Sequence, residues 1–275
     1  MGLGKRLKLL LRSGSPAFAA DFLRAEAAPG SGGGLGSIAW RAGDGHAVHY
    51  RRGSSDPGTI YDVLLKPGAK AEYWLPEGLE ARVVLDIGAN IGAASRYLAH
   101  RFPRARVHAF EPVPENARLL ERNAACCGRI ACHAYGLGAA DGEFELHLQA
   151  SGGADSYSLA VAGAPGTGVR APVRAVRAVL GELGLGQVDV IKIDTEGAEH
   201  EILAAFPDEV LRGAAWVYGE LHSAGIAAPS DFRALDRLSP WFSVEVRKSM
   251  FKDNYFFDAC RKDLRRRFRG FRRGR

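Results

Sequence analysis

Val83-Val84-Leu85-Asp86-Ile87-Gly88-Ala89-Asn90-Ile91-Gly92 decides the fold. A short apolar run, Arg82–Ile87, reads as a buried strand ending beside an acid. Gly88 then lets the chain turn tightly and lets a ligand approach the backbone, while Asn90 is the non-glycine residue best suited to a left-handed conformation. A helix follows over Asn90–Phe102, with Ile91, Ala94, Leu98 and Phe102 on one face. Its first turn offers free N–H groups to polar ligand atoms.

Outward from this unit the signals alternate. Val107–Phe110 predicts a second strand, Pro114–Ala125 a helix with proline in its tolerant first turn, and Ile130–Tyr135 a third strand. Glu143–Leu148 alternates as a hairpin strand. Val188–Ile193 and Ala215–Leu221 are further core strands separated by a helix through Ala205, and Phe242–Val246 with Tyr255–Ala259 reads as a terminal antiparallel pair. Such alternation predicts an α/β doubly wound, mostly parallel sheet. The Gly/Ala/Ser-rich stretch from Ala150 to Val173 is long enough for an active-site loop, with Asp155-Ser-Tyr-Ser158 as substrate-facing candidates.

Glu111 stands 25 residues after Asp86, at the end of the second strand in Phe110-Glu111-Pro112. An acid there accepts both hydroxyls of a ribose. A nicotinamide fingerprint wants glycine at 90 and 93, where this chain has Asn90 and Ala93, and Asp86 would repel a pyrophosphate. A ligand with a positive sulfonium and ammonium and no phosphate suits the acid, and S-adenosylmethionine (SAM) is that ligand. A nicotinamide-dependent oxidoreductase is the alternative from another enzyme class.

Asp86-Ile-Gly-Ala-Asn-Ile-Gly92, Phe110-Glu111-Pro112 and Ile191-Lys-Ile-Asp194-Thr-Glu196-Gly-Ala-Glu199 together resemble the FkbM-type family of SAM-dependent methyltransferases. Arg52-Gly-Ser-Ser-Asp56, Tyr73 and Glu220-Leu-His222 are similar to that family too, so the likeness runs over roughly residues 50–225. It implies a class I methyltransferase (Rossmann-like) fold of seven strands, with Asp86, Gly88, Ala89, Asn90, Gly92, Glu111 and Pro112 around the cofactor. Two departures stand out. Val176-Arg177 replaces the family's usual Leu-Asp, and Ala139 replaces a position often polar, which shifts adenine contacts to the backbone near 137–139 or to Asp141.

Ligands in open α/β sheets bind outside the carboxyl ends of the strands, so Asp194 and Glu196 should face the site, with Glu220 and His222 beside them. Lys192 and Asp194 share strand parity, which allows an ion pair on one face. His222 fits a general base for O-methylation of a small-molecule or glycan hydroxyl, its ordinary pKa of ~6.5 lying near working pH. Alternatively Asp194, Glu220 and His222 would hold a divalent cation that acidifies the hydroxyl. The bland expectation for Glu196 and Glu199 is that they favour a helix N-terminus.

Charge is unevenly spread. Residues 1–12 hold four basic groups and no acid, and residues 261–275 hold nine with Asp263, so the +6 of the whole chain leaves residues 13–260 at −6. An acidic body argues against a nucleic-acid grip, leaving an RNA methyltransferase that uses the basic tails as a third expectation. The domain expectation is a basic N-terminal helix and Gly-rich linker over 1–36, a methyltransferase domain over 37–261 and a basic tail over 262–275. As helices, the first tail aligns Leu3, Leu7, Leu10 and Leu11, and the second Leu264, Phe268 and Phe271, which suits weak contact with an anionic membrane surface. No apolar run reaches the ~18 residues needed to span a bilayer, the N-terminus makes a poor signal peptide, and the four cysteines, expected as buried free thiols, fit a cytoplasmic protein.

Overall fold

The computed structural model describes residues 3–28, 30, 33–148, 157–158, 168–222, 233–248, 254–268 and 271. Helices α1 (Leu3–Ser13) and α2 (Pro16–Ala27) come first, the latter capped by the Ser15 hydroxyl, which accepts from Phe18 N. A hairpin of β1 (Leu35–Ala39) and β2 (Ala47–Arg51) follows, then α3 (Asp56–Ile60), which runs into a π-helical turn over Tyr61–Leu65. The wound unit is β3 (Val83–Ile87), α4 (Ala93–Arg101), β4 (Arg106–Phe110), α5 (Pro114–Ala124) and β5 (Ile130–His133). Next come β6 (Gly136–Gly138), β7 (Gly142–Leu148), β8 (Tyr157–Ser158), β9 (Gly168–Ala175) and α6 (Val176–Glu182). The chain then returns through β10 (Val190–Ile193), α7 (Glu199–Ala205), α8 (Asp208–Gly213), β11 (Trp216–His222), α9 (Arg233–Asp236), β12 (Phe242–Lys248) and β13 (Asn254–Arg261).

The main sheet has seven strands in the order β12-β13-β11-β10-β3-β4-β5. β3, β4, β5, β10 and β11 are parallel, and β13 runs antiparallel between β11 and β12. This is the doubly wound class I methyltransferase arrangement with its terminal antiparallel pair, as expected. The winding reverses between β3 and β10, and the crevice at such a reversal is where open α/β sheets take ligands.

Alternation along the strands gives the sheet two apolar faces. Val84, Val107, Val190 and Trp216 pack with α1, α2, α4 and the 60–75 segment, whereas Leu85, Ile87, Ile191, Ile193 and Val217 pack with α6, α7 and α8. The structure differs from the sequence reading in four places. Helix α4 starts at Ala93, because Asn90 (φ 49) and Gly92 (φ 85) are left-handed and hold residues 88–92 as a loop. The third strand stops at His133, and residues 136–138 enter a separate four-stranded sheet, β6-β9-β7-β8, which also takes residues 168–175 from the long Gly/Ala/Ser-rich stretch. Of that stretch, residues 150–156, with Asp155 and Ser156, and residues 159–167 lie outside the described residues. The N-terminal helices are part of the body, since Leu9, Phe18 and Phe22 join the same core as β3.

Finally, the C-terminal segment is anchored. Phe268 and Phe271 set their rings edge-on to Trp216, with centroids 5.8 and 5.5 Å away. Those apolar side chains therefore face the core and not a membrane. All four cysteines are free, but only Cys260 is buried and Cys126 is exposed. No helix among the described residues is long and apolar enough to cross a membrane.

His108 and His133 stack between β4 and β5, with Nδ1 and Nε2 3.1 Å apart. Burial, then the neighbouring His133 and Arg106, push His108 down to about 4, and burial lowers His133 as well. An unfolded chain takes up these protons first as the pH falls, so the stability of the neutral pair is full above pH 6.5 and is lost on acidification through about 4. We expect the urea midpoint to fall across that window, and to fall less steeply in His108→Gln; parallel profiles would remove the pair as a source of acid lability.

Candidate active site

The loop after β3 is fixed from three sides. Gly88 N and Ala89 N both donate to Phe110 O at 3.0 Å, and Asp194 N donates to Ile87 O at 3.0 Å. Gly88 (φ 77) lies so close to β10 that a Cβ there would sit 1.7 Å from Asp194 O. Parallel register places Lys192 opposite Asp86, and both side chains are buried. Lys192 Nζ lies 3.2 Å from Asp86 Oδ1 and 3.8 Å from Asp194 Oδ2, and it donates to Gly88 O at 2.7 Å. Burial disfavours its charge, but Asp86 and Asp194 more than offset that and hold its pKa above the usual lysine range. Asp86 Oδ2 accepts from Ser95 Oγ at 2.5 Å. Asp86 thus grips Lys192 and α4 from beneath the loop, where a cofactor amine was expected to meet it.

Glu111 organises the other side. Its carboxylate accepts from Asn90 N at 2.7 Å, Val113 N at 3.0 Å and Asn116 Nδ2 at 3.3 Å. Burial raises its pKa despite these donors. Asn90 Oδ1 and Asn116 Oδ1 are buried with no partner among the described residues. Acceptors left open beside a carboxylate fit the hydroxyl and amino donors of an adenosine. Asp141 stands in the turn between β6 and β7, where it accepts from Ala175 N at 2.7 Å.

At the ends of β10 and β11 the expected residues do come together. Glu196, at φ 58, turns the chain so that His222 Nε2 lies 3.1 Å from Glu196 Oε2 and 3.7 Å from Glu220 Oε2. His222 Nδ1 lies 3.0 Å from Glu199 Oε1, which also accepts from Thr195 N and Gly197 N. Glu199 therefore orients the imidazole as well as favouring its helix, and His222 with the two N–H donors holds its pKa down against burial. Burial disfavours a charged His222, but Glu199, Glu196 and Asp194 outweigh it and raise the pKa to about 9. Asp194, Glu220 and His222 each offer one ligand-type atom within 4.8 Å of the others.

These groups open into a cavity of about 240 Å³ at the β3/β10 reversal, lined by Gly88, Ala89 and Asn90 on one side and Lys192, Asp194, Glu196 and Glu220 on another. Its third wall comes from before the sheet: Ser55, Thr59, Asp62, Glu72 and Tyr73. Tyr73 OH donates to Asp194 Oδ2 at 2.5 Å, and its ring lies beneath Lys192 Nζ, 5.0 Å from the centroid. Burial, then the Asp194 charge, keep that phenol protonated well above its ordinary range.

A model of the methyltransferase FkbM domain matches residues 86–272, about two thirds of the chain. The chain belongs to the FkbM methyltransferase family. It is 33% identical over 179 residues to the AMB antimetabolite synthetase AmbE of Pseudomonas aeruginosa, covering 51% of this chain and 8% of that one. It is 27% identical over 146 residues to Methyltransferase 1 of Beauveria bassiana, covering 46% and 59%. To the 31-O-demethyl-FK506 methyltransferase FkbM of Streptomyces tacrolimicus it is 30% identical over 181 residues, covering 54% and 70%. The chain thus spans under two thirds of the first two relatives. The family and the fold imply SAM as the methyl donor, and the loop, Glu111 and the open asparagine acceptors fit it.

Within this FkbM domain, Gly88, Ala89, Asn90, Asp194, Glu196 and Glu220 meet in the cavity as expected from sequence, with His222 against them. Asp86 and Glu111 lie just beneath the loop, Gly92 packs on Leu120, and Pro112 leads into α5. Sequence reasoning gave no role in the site to Asp62 or Glu72, which no motif marks, nor to Asn254, which β13 pairs opposite His222 and whose Nδ2 donates to Glu220.

Two acids should therefore fail differently. Asp86→Ala strips the buried Lys192 of its nearest carboxylate and should cost about 3–5 kcal/mol of stability in urea denaturation. Glu111→Ala should show instead in calorimetry, with S-adenosylhomocysteine bound roughly tenfold to a hundredfold more weakly. A fully stable Asp86→Ala, or unchanged affinity in Glu111→Ala, would refute the corresponding role.

Proposed function

We propose that this chain methylates a hydroxyl oxygen of a small molecule or glycan. The observation that carries the reading is the meeting of Asp194, Glu196, Glu220 and His222 beside the Gly88–Asn90 loop. Such a cavity repels a phosphorylated or carboxylated acceptor and suits a neutral hydroxyl, which donates its hydrogen to a carboxylate. The printed name of the Streptomyces relative, an O-demethyl-FK506 methyltransferase, supports oxygen as the target. Membership of a methyltransferase family removes the oxidoreductase alternative.

Bound SAM supplies an electrophilic methyl group on a positive sulfonium. The chain's own part is positioning and proton handling. Lys192 and Tyr73 fix Asp194 at the cavity floor. Asp194 and Glu196 accept the hydroxyl's hydrogen and aim its oxygen. With its neighbours as they stand, His222 is charged at neutral pH, so it acts as the cation that lets four carboxylates share the pocket, and not as the free base its ordinary pKa suggested. The 4.8 Å clustering of Asp194, Glu220 and His222 favours a second reading, in which these three hold a divalent cation and Glu199 orients the imidazole from behind.

The test is a mass-spectrometric screen with SAM against hydroxylated small molecules and glycans, followed by His222→Gln on the best acceptor. Both readings expect turnover roughly tenfold or more below wild type, with S-adenosylhomocysteine affinity nearly unchanged. Chelation separates them: no effect supports the charge-balancing role, whereas loss restored by Mg²⁺ or Mn²⁺ supports the cation. Wild-type turnover in His222→Gln defeats both, and transfer to nitrogen or carbon acceptors alone defeats O-methylation.

A further inference from the structure

Helix α1 is built inside out on one side. Successive residues turn by about 100°, so Leu7, Leu10 and Leu11 share one arc while Leu9 and Ser13 fall on the opposite face. The structure buries Leu9 (1% exposed) and Ser13 against the body and leaves Leu7, Leu10 and Leu11 55%, 39% and 73% exposed. Among the described residues the only other exposed large hydrophobic side chain is Leu35. Arg6 and Lys8 are exposed and border the leucine arc on either side. A globular helix ordinarily turns its apolar stripe inward and its charges outward. Here, among the described side chains of α1, one leucine is buried and three stand outside with cations along both flanks.

We propose that this face of α1 docks on a lipid surface carrying anionic headgroups. An apolar ridge with flanking cations matches the two layers it would meet, acyl chains below and negative headgroups beside them. Charge decides against a second copy of the chain: pairing two such ridges would set Arg6 and Lys8 of one copy against the same groups of the other. The helix is not a loose tether. Arg12 Nη1 donates to Tyr61 OH at 2.6 Å, and the Tyr61–Leu65 turn carries Asp62 and Val63 into the cavity wall. Docking therefore brings the wall of the transfer site to within one helix of the lipid, as a lipid-borne or membrane-made acceptor would require. The surface assignment itself does not depend on the O-methylation reading.

The experiment is co-sedimentation of the full chain with vesicles of phosphatidylcholine alone and of phosphatidylcholine doped with phosphatidylglycerol, at low and high sodium chloride. Binding is expected on the anionic vesicles, weakened by salt. Leu7→Ser/Leu10→Ser/Leu11→Ser should reduce partitioning at least tenfold, and Arg6→Gln/Lys8→Gln by about fivefold per cation. Circular dichroism and S-adenosylhomocysteine affinity should stay at wild-type values in both variants, because none of these residues belongs to the buried core or lines the cavity. The proposal is overturned by no binding to anionic vesicles, by binding that the leucine variant retains, or by a dimer in lipid-free solution that this variant dissociates.

Discussion

A lysine ammonium buried in the middle of a sheet must find its charge partners within reach, and the site is arranged around that demand. Lys192 is 2% exposed, so its charge survives only because parallel register sets Asp86 opposite it and Asp194 lies two residues on. Its remaining donor goes to Gly88 O, which ties the turn after β3 to β10. Two glycines then become obligatory. A Cβ at Gly88 would collide with Asp194 O, and one at Gly219 (φ 154) would lie 1.7 Å from Ile193 O on the other side of the same strand. β10 is thus clamped by close backbone approach from both neighbours, and its carboxyl end, with Asp194, is delivered to one place.

That placement explains the electrostatics next door. Asp194, Glu196, Glu199 and Glu220 converge where Lys192 is already committed to Asp86, so negative charge is in excess. His222 answers it by staying charged, and Glu199 answers it by taking backbone N–H groups as well as the imidazole. A pocket so biased stabilises positive charge and disfavours a further anion. Tyr73 shows the complement: burial holds its proton, and the Asp194 charge beside it adds to the effect.

The fold was legible in the sequence because its signals are local. The strand, Gly88 and Asn90 of the loop and the helix behind them occur within twenty residues, and Glu111 follows at the spacing a βαβ unit imposes. Parity put Lys192 and Asp194 on one face. Three things were hidden, each of them non-local. Asp86 was expected to face the ligand, but a partner a hundred residues away turned it inward. His222 was read at its ordinary pKa, because Asp194, Glu196 and Glu199 close on it only when β10 and β11 pair in the fold. The second sheet was missed because β6 is a three-residue glycine-containing strand, and only its pairing with β9 stabilises it. Leu3, Leu7, Leu10 and Leu11 did align as a helical face, yet the sequence could not say that Leu9, outside that face, is the residue the body takes.

The cavity is also divided along the chain. One side of it, the Gly88–Asn90 loop with Asp194, lies inside the region matched to the FkbM domain, whereas Ser55, Thr59, Asp62, Glu72 and Tyr73 precede residue 86. The outer wall is held at a few points. Asp56 is fully buried and accepts from Arg51 N, Nε and Nη2, which fixes the turn at 52–55; Leu75 N donates to Tyr97 OH; and Tyr73 reaches Asp194. Between those anchors, Thr59, Asp62 and Glu72 are half-buried, and the Glu72 charge also bears on the Tyr73 phenol. The two sides are joined through Tyr73, whose hydroxyl reaches Asp194 and whose ring lies beneath Lys192, so the buried lysine that needs two carboxylates is held in part by the segment that precedes the FkbM domain.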